Sequence, residues 1–402
     1  MATVVLLGTL DTKGHEYAFM RERVREHGVD VLLVDAGVND PQVEPDVSRD
    51  EVARAGDADV AALAAGGDRG AAVTAMARGA EAVVRRLHDE GRLDAIAALG
   101  GSGGSSIATA AMRALPVGVP KLMVSTVASG DTRPYVGAVD VTMMYSVVDI
   151  AGVNSISARI IANAAGAIAG MARATVPPLE QRPLVGATMF GVTTPCVTRA
   201  RERLEELGYE TLVFHATGTG GQSMEALVRG GYLAGVLDVT TTELADELVG
   251  GVLSAGPDRL EAAGAAGVPQ VVSLGALDMV NFGPHDTVPE RFASRNLYVH
   301  NPTVTLMRTT PEECAELGRQ IGRKLSAATG PTVLFVPLKG VSMIDVEGQP
   351  FFDPAADEAL RSGVRETLDG RVEVHELDTD INDPAFAVAM ADRLHELIGG
   401  RA

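Results

Sequence analysis

Short apolar runs alternate with helical periodicities along the first half of the chain. Strands are predicted at Thr3–Gly8, Val29–Asp35, Leu93–Leu99, Lys121–Thr126 and Val139–Tyr145. Between them, apolar residues recur every three to four positions, which predicts helices at about Glu16–His27, Ser48–Ala55, Arg69–Gly91, Ser105–Leu115 and Val153–Ala174. Continuous apolar strands separated by helices indicate a parallel sheet that is covered on both faces.

The same alternation restarts after Thr175–Pro183, where two adjacent prolines bar a continuing helix. Strands are predicted at Leu184–Met189, Thr211–His215, Gly235–Thr240, Gln270–Ser273, Asn296–His300, Thr332–Pro337 and Arg371–Leu377. Helices are predicted at Thr198–Leu207, Ser223–Arg229, Asp258–Ala266, Pro311–Ala328, Ala355–Leu368 and Pro384–Ile398. A chain of 402 residues is also long for one core. We therefore expect two Rossmann-like three-layer α/β/α domains with mostly parallel sheets, at residues 1–180 and 181–402.

The net charge of the chain indicates which kinds of ligand it is suited to bind. The chain has 34 Lys and Arg against 53 Asp and Glu, a formal net charge of −19, which argues against nucleic acid but not against a small phosphorylated ligand. The two cysteines, Cys196 and Cys314, predict neither a disulfide framework nor a zinc site, and favour a cytoplasmic location. The N-terminus lacks the features of a signal peptide, and polar residues interrupt the apolar stretch Ile150–Ala174, so no membrane association is expected.

Two glycine-rich segments, Gly101–Ser106 and Gly218–Ser223, share the pattern G-x-G-G-x-S. Each follows an apolar strand and precedes a helix, where glycines let the backbone approach an anion and the helix N-terminus offers free N–H groups. The first is neither a Walker A loop nor a complete G-x-G-x-x-G motif. It could also be a tight turn without a ligand. The repeat could reflect duplication or convergence.

Two more polar segments follow strands, and in parallel sheets ligands bind at those strand ends. In Gly8–Gly14, Lys13 could neutralise a phosphate and Asp11 could hold Mg²⁺, although Asp11 and Thr12 could simply cap the next helix. In Thr126–Arg133, Asp131 is a second Mg²⁺ candidate, although this sequence also suits a solvated turn.

The second half carries isolated polar residues in apolar surroundings. His215, directly after a predicted strand, could act as an acid or base, or be a hydrogen-bonded structural histidine. We expect His215, Asp278 and Arg308 to be catalytic and to face an inter-domain cleft. Weaker candidates for that cleft are Glu243, His300 and Lys339. No G-x-S-x-G or H-E-x-x-H motif is present, so neither a serine hydrolase nor a zinc protease is indicated.

The segments VVLLGTLDTKGHEY and AALGGSGGSSIATAAMRAL, followed by STVASGDTRP, resemble the Tm-1-like ATP-binding family over nearly the whole chain. The resemblance implies two Rossmann-like subdomains, Mg-ATP binding and self-association. Plant members carry a further C-terminal barrel-like domain for which this chain is too short, so we expect a bacterial-type member and do not carry over the antiviral role. The resemblance assigns the segments Gly8–Lys13, Gly100–Ser106 and Thr126–Thr132 to ATP. Within them, on physical grounds, we expect Asp11 and Asp131 to be metal ligands and the ATP-binding residues to be Gly8, Thr9, Asp11, Thr12, Lys13, Gly101, Ser102, Gly103, Gly104, Ser105, Ser106, Thr126, Ser129, Gly130 and Thr132.

Three functions remain open from the sequence. The favoured one is an ATP-dependent transferase or ligase that acts on a small metabolite in the inter-domain cleft. The second is a non-catalytic nucleotide-binding module that engages a protein partner, and the third is a nucleotide-independent, metal-assisted hydrolase or lyase. A homodimer or larger homo-oligomer is expected from the resemblance and from the frequency of twofold assemblies.

Overall fold

The computed structural model describes residues 1–177 and 182–399. Its contacts divide the chain into two compact units, Met1–Pro178 (unit 1) and Leu179–Ala402 (unit 2). The predicted boundary at residue 180 and the middle of the predicted linker lie outside the described residues. Among the residues that are described, no helix combines the length and the apolar composition needed to span a membrane.

Unit 1 is one parallel sheet with helices on both faces. Its elements are β1 (Thr3–Gly8), α1 (Leu10–Glu26), β2 (Asp30–Asp35), α2 (Arg49–Ala55), α3 (Val60–Gly66), α4 (Arg69–Asp89), β3 (Ala95–Gly100), α5 (Ser102–Arg113), β4 (Lys121–Ser125), α6 (Arg133–Val136), β5 (Val141–Tyr145) and α7 (Ser157–Ala172). The strand order is β2-β1-β3-β4-β5, and each neighbouring pair is parallel.

The alternation of side chains along β1 builds both cores of unit 1. Val5 and Leu7 are buried on one face with residues of α2, α4 and α5, whereas Val4 and Leu6 are buried on the other with residues of α1 and α7. Successive strand residues point to opposite faces, so a continuous apolar strand serves two helical layers.

Unit 2 repeats this plan with one more strand. Its elements are β6 (Leu184–Met189), α8 (Thr194–Glu206), β7 (Glu210–His215), α9 (Thr219–Arg229), β8 (Leu233–Thr240), α10 (Glu243–Val249), α11 (Ala262–Ala266), β9 (Gln270–Gly275), β10 (Met279–Phe282), β11 (Leu297–Asn301), β12 (Val304–Arg308), α12 (Pro311–Ser326), β13 (Thr332–Pro337), α13 (Pro354–Thr367), β14 (Glu373–Leu377) and α14 (Pro384–Gly399). The main sheet is parallel in the order β14-β13-β9-β8-β6-β7, and β10-β12-β11 form a small antiparallel sheet. The predicted fold class, two α/β domains with mostly parallel sheets, is confirmed.

The structure differs from the prediction mainly at the polar segments. The helices α1 and α5 begin at Leu10 and Ser102 rather than at Glu16 and Ser105, because the predicted loops form their first turns. The small antiparallel sheet was not predicted as such. Its strand β10 has only four residues, all of them buried, so it lacks the alternation that would reveal a strand.

A buried ion cluster organises the centre of unit 2. The guanidinium of Arg259 donates to both carboxylate oxygens of Asp238 and to Glu243, each at 2.6 Å, and Glu225 lies 3.6 Å away. Burial by itself would lower the pKa of Arg259, but the surrounding carboxylates raise it well above its usual value. The cluster joins α9, β8 and α10 through one side chain.

Replacing Arg259 with Leu should strongly destabilise unit 2. The substitution leaves three carboxylates buried without their cation, for which we expect a loss of about 3–5 kcal/mol in the free energy of unfolding. Urea denaturation followed by circular dichroism measures it. The control is Arg201→Leu in α8, whose side chain is 45% exposed in a surface ion pair with Glu205 and should matter little. A similar loss in the two variants would contradict this role of Arg259.

Candidate functional site

A cavity of about 670 Å³ lies at the carboxyl edge of the unit 1 sheet. Segments that follow β1, β2, β3 and β4 all contribute to its lining. In the sheet, β1 lies between β2 and β3, so the two strands that follow β1 in the sequence are placed on opposite sides of it. Open parallel sheets bind their ligands at such a switch point.

The lining of this cavity combines apolar surface with a small number of polar groups. The apolar contributors are Ala36, Val38, Leu63, Ala64, Ala72, Val73, Met76 and Ile107. The polar and glycine contributors are Thr9, Asp11, Thr12, Lys13, Gly37, Asn39, Gly67, Asp68, Arg69, Gly100, Gly101, Ser102, Gly103, Gly104, Thr126 and Asp149. Such a mixture suits a ligand with both an apolar body and a charged end.

The glycine-rich segment forms the first turn of α5 at the cavity. Gly101 is the N-cap, and none of the described side chains caps the free N–H groups of this helix. A Cβ at Gly100 would lie 3.2 Å from the Cα of Gly104, so the two backbones approach closely. The predicted serines are partly used elsewhere, since the hydroxyl of Ser105 is buried against Ser125 at 2.7 Å and Ser106 donates to the Ser102 carbonyl. The backbone of Ser102–Gly104, rather than the serine hydroxyls, is therefore the part of this segment that is suited to an anion.

Asp11 faces the same cavity with one carboxylate oxygen free of hydrogen bonds. Its Oδ2 accepts from the backbone N–H of Asn39 at 3.2 Å and from the Asn39 amide at 3.1 Å. Its Oδ1 is buried and has no partner among the described residues. A carboxylate that is held rigidly and has one unused oxygen is suited to bind a cation.

Asp35, at the end of β2, is a second carboxylate near this point, and the sequence analysis missed it. Its Oδ1 accepts from the N–H groups of Leu10 (3.1 Å) and Gly37 (2.8 Å), and its buried Oδ2 has no partner in the described part of the chain. A Cβ at Gly37 would lie 2.7 Å from Asp11 Oδ1 and 3.1 Å from Asp35 Oδ1. Burial, and to a lesser extent the charge of Asp11, raises the pKa of Asp35. An aspartate at the end of an apolar strand is the signal that could have revealed it.

A divalent cation at this point would depend on few protein ligands. Within residues 1–177 and 182–399, no group of three or more His, Cys, Asp or Glu side chains is placed to hold a metal ion. Mg²⁺ commonly uses only one or two carboxylates and completes its shell with water and ligand phosphates. The residues present therefore fit Mg²⁺ better than a metal that needs an all-protein site.

Lys13 lines the cavity but is already partly engaged. Its ammonium donates to the carbonyl of Ile150, and its backbone departs from helical geometry at φ −133° and ψ 20°. One turn further on, Glu16 accepts from the N–H of Gly152 at 2.6 Å. An ammonium has three donors, so Lys13 can still contact an anion while it holds the segment around Ile150.

Other predicted residues of unit 1 lie in different surroundings. Gly8 is required by packing, because a Cβ there would lie 2.0 Å from the ring of Tyr17. Of the third motif, Thr126 lines the cavity, but Ser129, Gly130, Asp131 and Thr132 are not among its lining residues. Asp131 forms an exposed ion pair with Arg133 at 2.8 Å, which lowers the pKa of Asp131 to about 2. Its role as a metal ligand stays a prediction.

The second glycine-rich segment binds a carboxylate of the chain itself. The N–H groups of Gly218 and Gly221 donate to Oε1 of Glu243 at 2.7 and 3.0 Å. This segment follows the second strand of unit 2, whereas the segment at Gly101 follows the third strand of unit 1. The two positions are not equivalent in the shared topology, which favours convergence over duplication.

Of the three predicted catalytic residues of unit 2, His215 lies apart from Asp278 and Arg308. His215 is exposed at the end of β7, an edge strand, whereas Asp278 is fully buried just after β9. Three strand spacings separate β7 from β9, roughly 14 Å. Of the weaker candidates, Glu243 belongs to the buried ion cluster, His300 is exposed on β11, and Lys339 forms a surface ion pair with Asp378.

Asp278 and Arg308 belong to a second buried network. Arg308 donates to Asp345 at 3.0 Å and to Asp357 at 2.8 Å, while Ser342 donates to Asp278 at 2.8 Å. Burial is the main cause that raises the pKa values of Asp278, Asp345 and Asp357, and it outweighs the opposing charge of Arg308. A structural role accounts for all of these contacts, and a catalytic role stays a prediction.

The fold and the cavity define a two-domain Rossmann-like α/β protein with a candidate anion site in its first domain. The chain belongs to the uncharacterised protein family UPF0261, whose N-terminal domain matches residues 2–177 and whose C-terminal domain matches residues 182–398. It is 55% identical to a UPF0261 protein of Clostridium tetani over 394 residues, which are 97% of this chain and 98% of that protein.

A plant relative and one solved structure extend the comparison. The tomato ToMV resistance protein Tm-1(GCR237) is 41% identical over 421 residues, which cover 98% of this chain but 55% of that protein. A UDP-N-acetylglucosamine 2-epimerase from Rickettsia bellii aligns with 67% of this chain and 78% of its own, at 10% identity and a TM-score of 0.24. A likeness this weak supports no functional argument.

The Asp278–Asp345–Asp357 network should make unit 2 less stable as pH rises. An acid whose pKa is raised on folding retains its proton in the folded state longer than in the unfolded state. Its stabilising effect is complete below the ordinary value near 4 and is lost as pH rises through the raised value. The asparagine side chain of Asp345→Asn cannot ionise. This variant should therefore show a smaller decline of the free energy of unfolding with pH, by up to about 1.4 kcal/mol per pH unit. Urea denaturation between pH 5 and 9 measures the slope.

The matched control for this prediction is Asp378→Asn. Its side chain is 78% exposed in a surface ion pair, so its substitution should leave the slope unchanged. An unchanged slope in Asp345→Asn would show that Asp345 is not the residue that retains the proton.

Proposed function

We propose that unit 1 binds Mg-ATP in the cavity at the carboxyl ends of β1 and β3. The observation that carries this proposal is the N-terminus of α5, which no side chain among the described residues caps, and which lines the same cavity as Asp11, whose buried Oδ1 has no partner within residues 1–177 and 182–399. The first feature suits phosphate and the second suits the cation that accompanies it. The resemblance to the Tm-1-like ATP-binding family points to the same ligand.

The other glycine-rich segment of this chain already binds a negatively charged group. At Gly218 and Gly221, a backbone of the same G-x-G-G-x-S pattern holds the carboxylate of Glu243 through two N–H groups. In unit 1, Gly101 and Gly104 occupy the same positions of the pattern and line a cavity, and no described side chain caps their helix. This contrast supports a ligand, rather than a protein side chain, as the acceptor.

Different residues of the cavity would bind different parts of the ligand. The N–H groups of Ser102–Gly104 and the ammonium of Lys13 would receive the phosphates, and Asp11 would hold Mg²⁺, with Asp35 close by. The apolar side chains of the lining would cover the base. Bound Mg²⁺ would neutralise charge on the phosphate oxygens.

The geometry supports nucleotide binding more strongly than it supports a transfer reaction. The polar residues expected to act on a second substrate, Asp278 and Arg308, are bound to other side chains inside unit 2. Transfer of a phosphoryl or adenylyl group to a small metabolite therefore stays a prediction, as do the cytoplasmic location and the homodimer. A non-catalytic nucleotide-binding module remains the alternative.

Calorimetric titration of ATP, with and without Mg²⁺, tests the proposal. We expect saturable binding that Mg²⁺ strengthens. Asp11→Asn should lose most of the Mg²⁺ effect and keep the Mg²⁺-free affinity, because it removes a cation ligand and no phosphate contact. Lys13→Ala should weaken binding in both conditions by about tenfold, as expected for one charged hydrogen bond.

Asp131→Asn is the matched control, because Asp131 carries the same charge in a neighbouring motif but pairs with Arg133. It should bind Mg-ATP like the wild type. No binding at millimolar ATP would overturn the proposed function. Loss of the Mg²⁺ effect in Asp131→Asn, with Asp11→Asn unaffected, would move the metal site to the third motif.

A further inference from the structure

The corner between α3 and α4 carries a cation that the sequence analysis did not consider. The helix α3 ends at Gly66, and its C-cap Gly67 has a φ of +66° in the left-handed region. Asp68 caps α4 by accepting from the N–H of Ala71 at 3.0 Å. Arg69 is the first residue of α4, and it lines the cavity together with Leu63 from the other side of the corner. Arg69 is exposed to solvent.

The guanidinium of Arg69 lies beside the first turn of α5. Its Nη2 is 3.4 Å from the position that a Cβ would occupy on Gly103. Among the described residues, the side chain of Arg69 makes no hydrogen bond or ion pair, whereas the neighbouring cation Lys13 already donates to Ile150. All the donors of Arg69 are therefore available.

This placement brings two positive groups together at one side of the cavity. The N-terminus of α5 carries a partial positive charge, and a guanidinium beside it adds a full one. The chain has 53 acidic side chains against 34 basic ones, yet none of the described carboxylates pairs with Arg69. Two positive groups that converge on one cavity are stabilised when an anion lies between them.

We infer that Arg69 contacts the phosphate chain of the bound nucleotide, an inference that rests on the proposed function and adds a residue to it. A guanidinium presents its donors in a planar fork that matches two phosphate oxygens. The helix α4 also supplies Ala72, Val73 and Met76 to the cavity. Contact with Arg69 therefore ties the charged and apolar parts of the ligand to the same helix.

The test compares Arg69→Gln with Arg78→Gln in titrations of ATP, ADP, AMP and adenosine. Arg78 is an exposed arginine on the same helix, nine residues further on and so roughly 13 Å away, and it is not among the lining residues. We expect Arg69→Gln to weaken ATP binding about tenfold to hundredfold, as for a lost charged hydrogen bond. The loss should shrink as phosphates are removed, and adenosine should bind all three proteins equally.

The outcomes separate this inference from the proposed function. If the wild type binds nucleotide and Arg69→Gln binds it as well as Arg78→Gln does, the inference is wrong and the proposed function stands. An equal loss for adenosine and ATP would also overturn the inference, because Arg69 would then act on the shape of the cavity. If the wild type binds no nucleotide, both fail together. Equal thermal midpoints of the two variants control for folding.

Discussion

The free N–H groups at a helix N-terminus need acceptors, and the two units of this protein meet that need differently. In both, a parallel strand leads through a glycine-rich turn into a helix, where no residue of the helix itself can pair with the first N–H groups. Unit 2 provides Glu243, fixed by Arg259 and two backbone N–H groups. Unit 1 provides a cavity. The same local constraint thus produces a structural contact in one unit and a candidate ligand site in the other.

Glu243 illustrates why unit 2 can use a carboxylate in this way. A buried carboxylate is destabilising unless it is paired, and Glu243 is paired by Arg259, which also holds Asp238 and lies near Glu225. Arg308 has the same relation to Asp345 and Asp357. In each case one guanidinium serves more than one carboxylate, so some acid groups favour the protonated form. We therefore expect the pH dependence of the stability of unit 2 to originate inside its core.

The sequence allowed the fold class and most strands to be predicted, because short continuous apolar runs such as Thr3–Gly8 and Thr332–Pro337 are typical of strands buried on both faces. It also placed Asp11 and the glycines of Gly101–Gly104 near each other, since parallel strands end at one edge. The sequence could not reveal that Asp278 accepts a hydrogen bond from Ser342 or that Arg308 donates one to Asp345. These partners lie more than 30 residues away along the chain. Arg69 was missed for the opposite reason: nothing local marks an arginine at a helix start as unpaired.

Whether a predicted polar residue is free or already paired therefore decides which of the candidates can act on a ligand. Glu243, Asp278, Arg308 and Asp131 all have partners within the chain, and a ligand would have to compete with contacts whose effective concentration is high. Asp11, Arg69 and the first turn of α5 have unused hydrogen-bonding capacity and line one cavity. The proposed binding of an anion and its cation is accordingly assigned to unit 1, and a role for unit 2 in binding a ligand would have to begin from its exposed residues, such as His215.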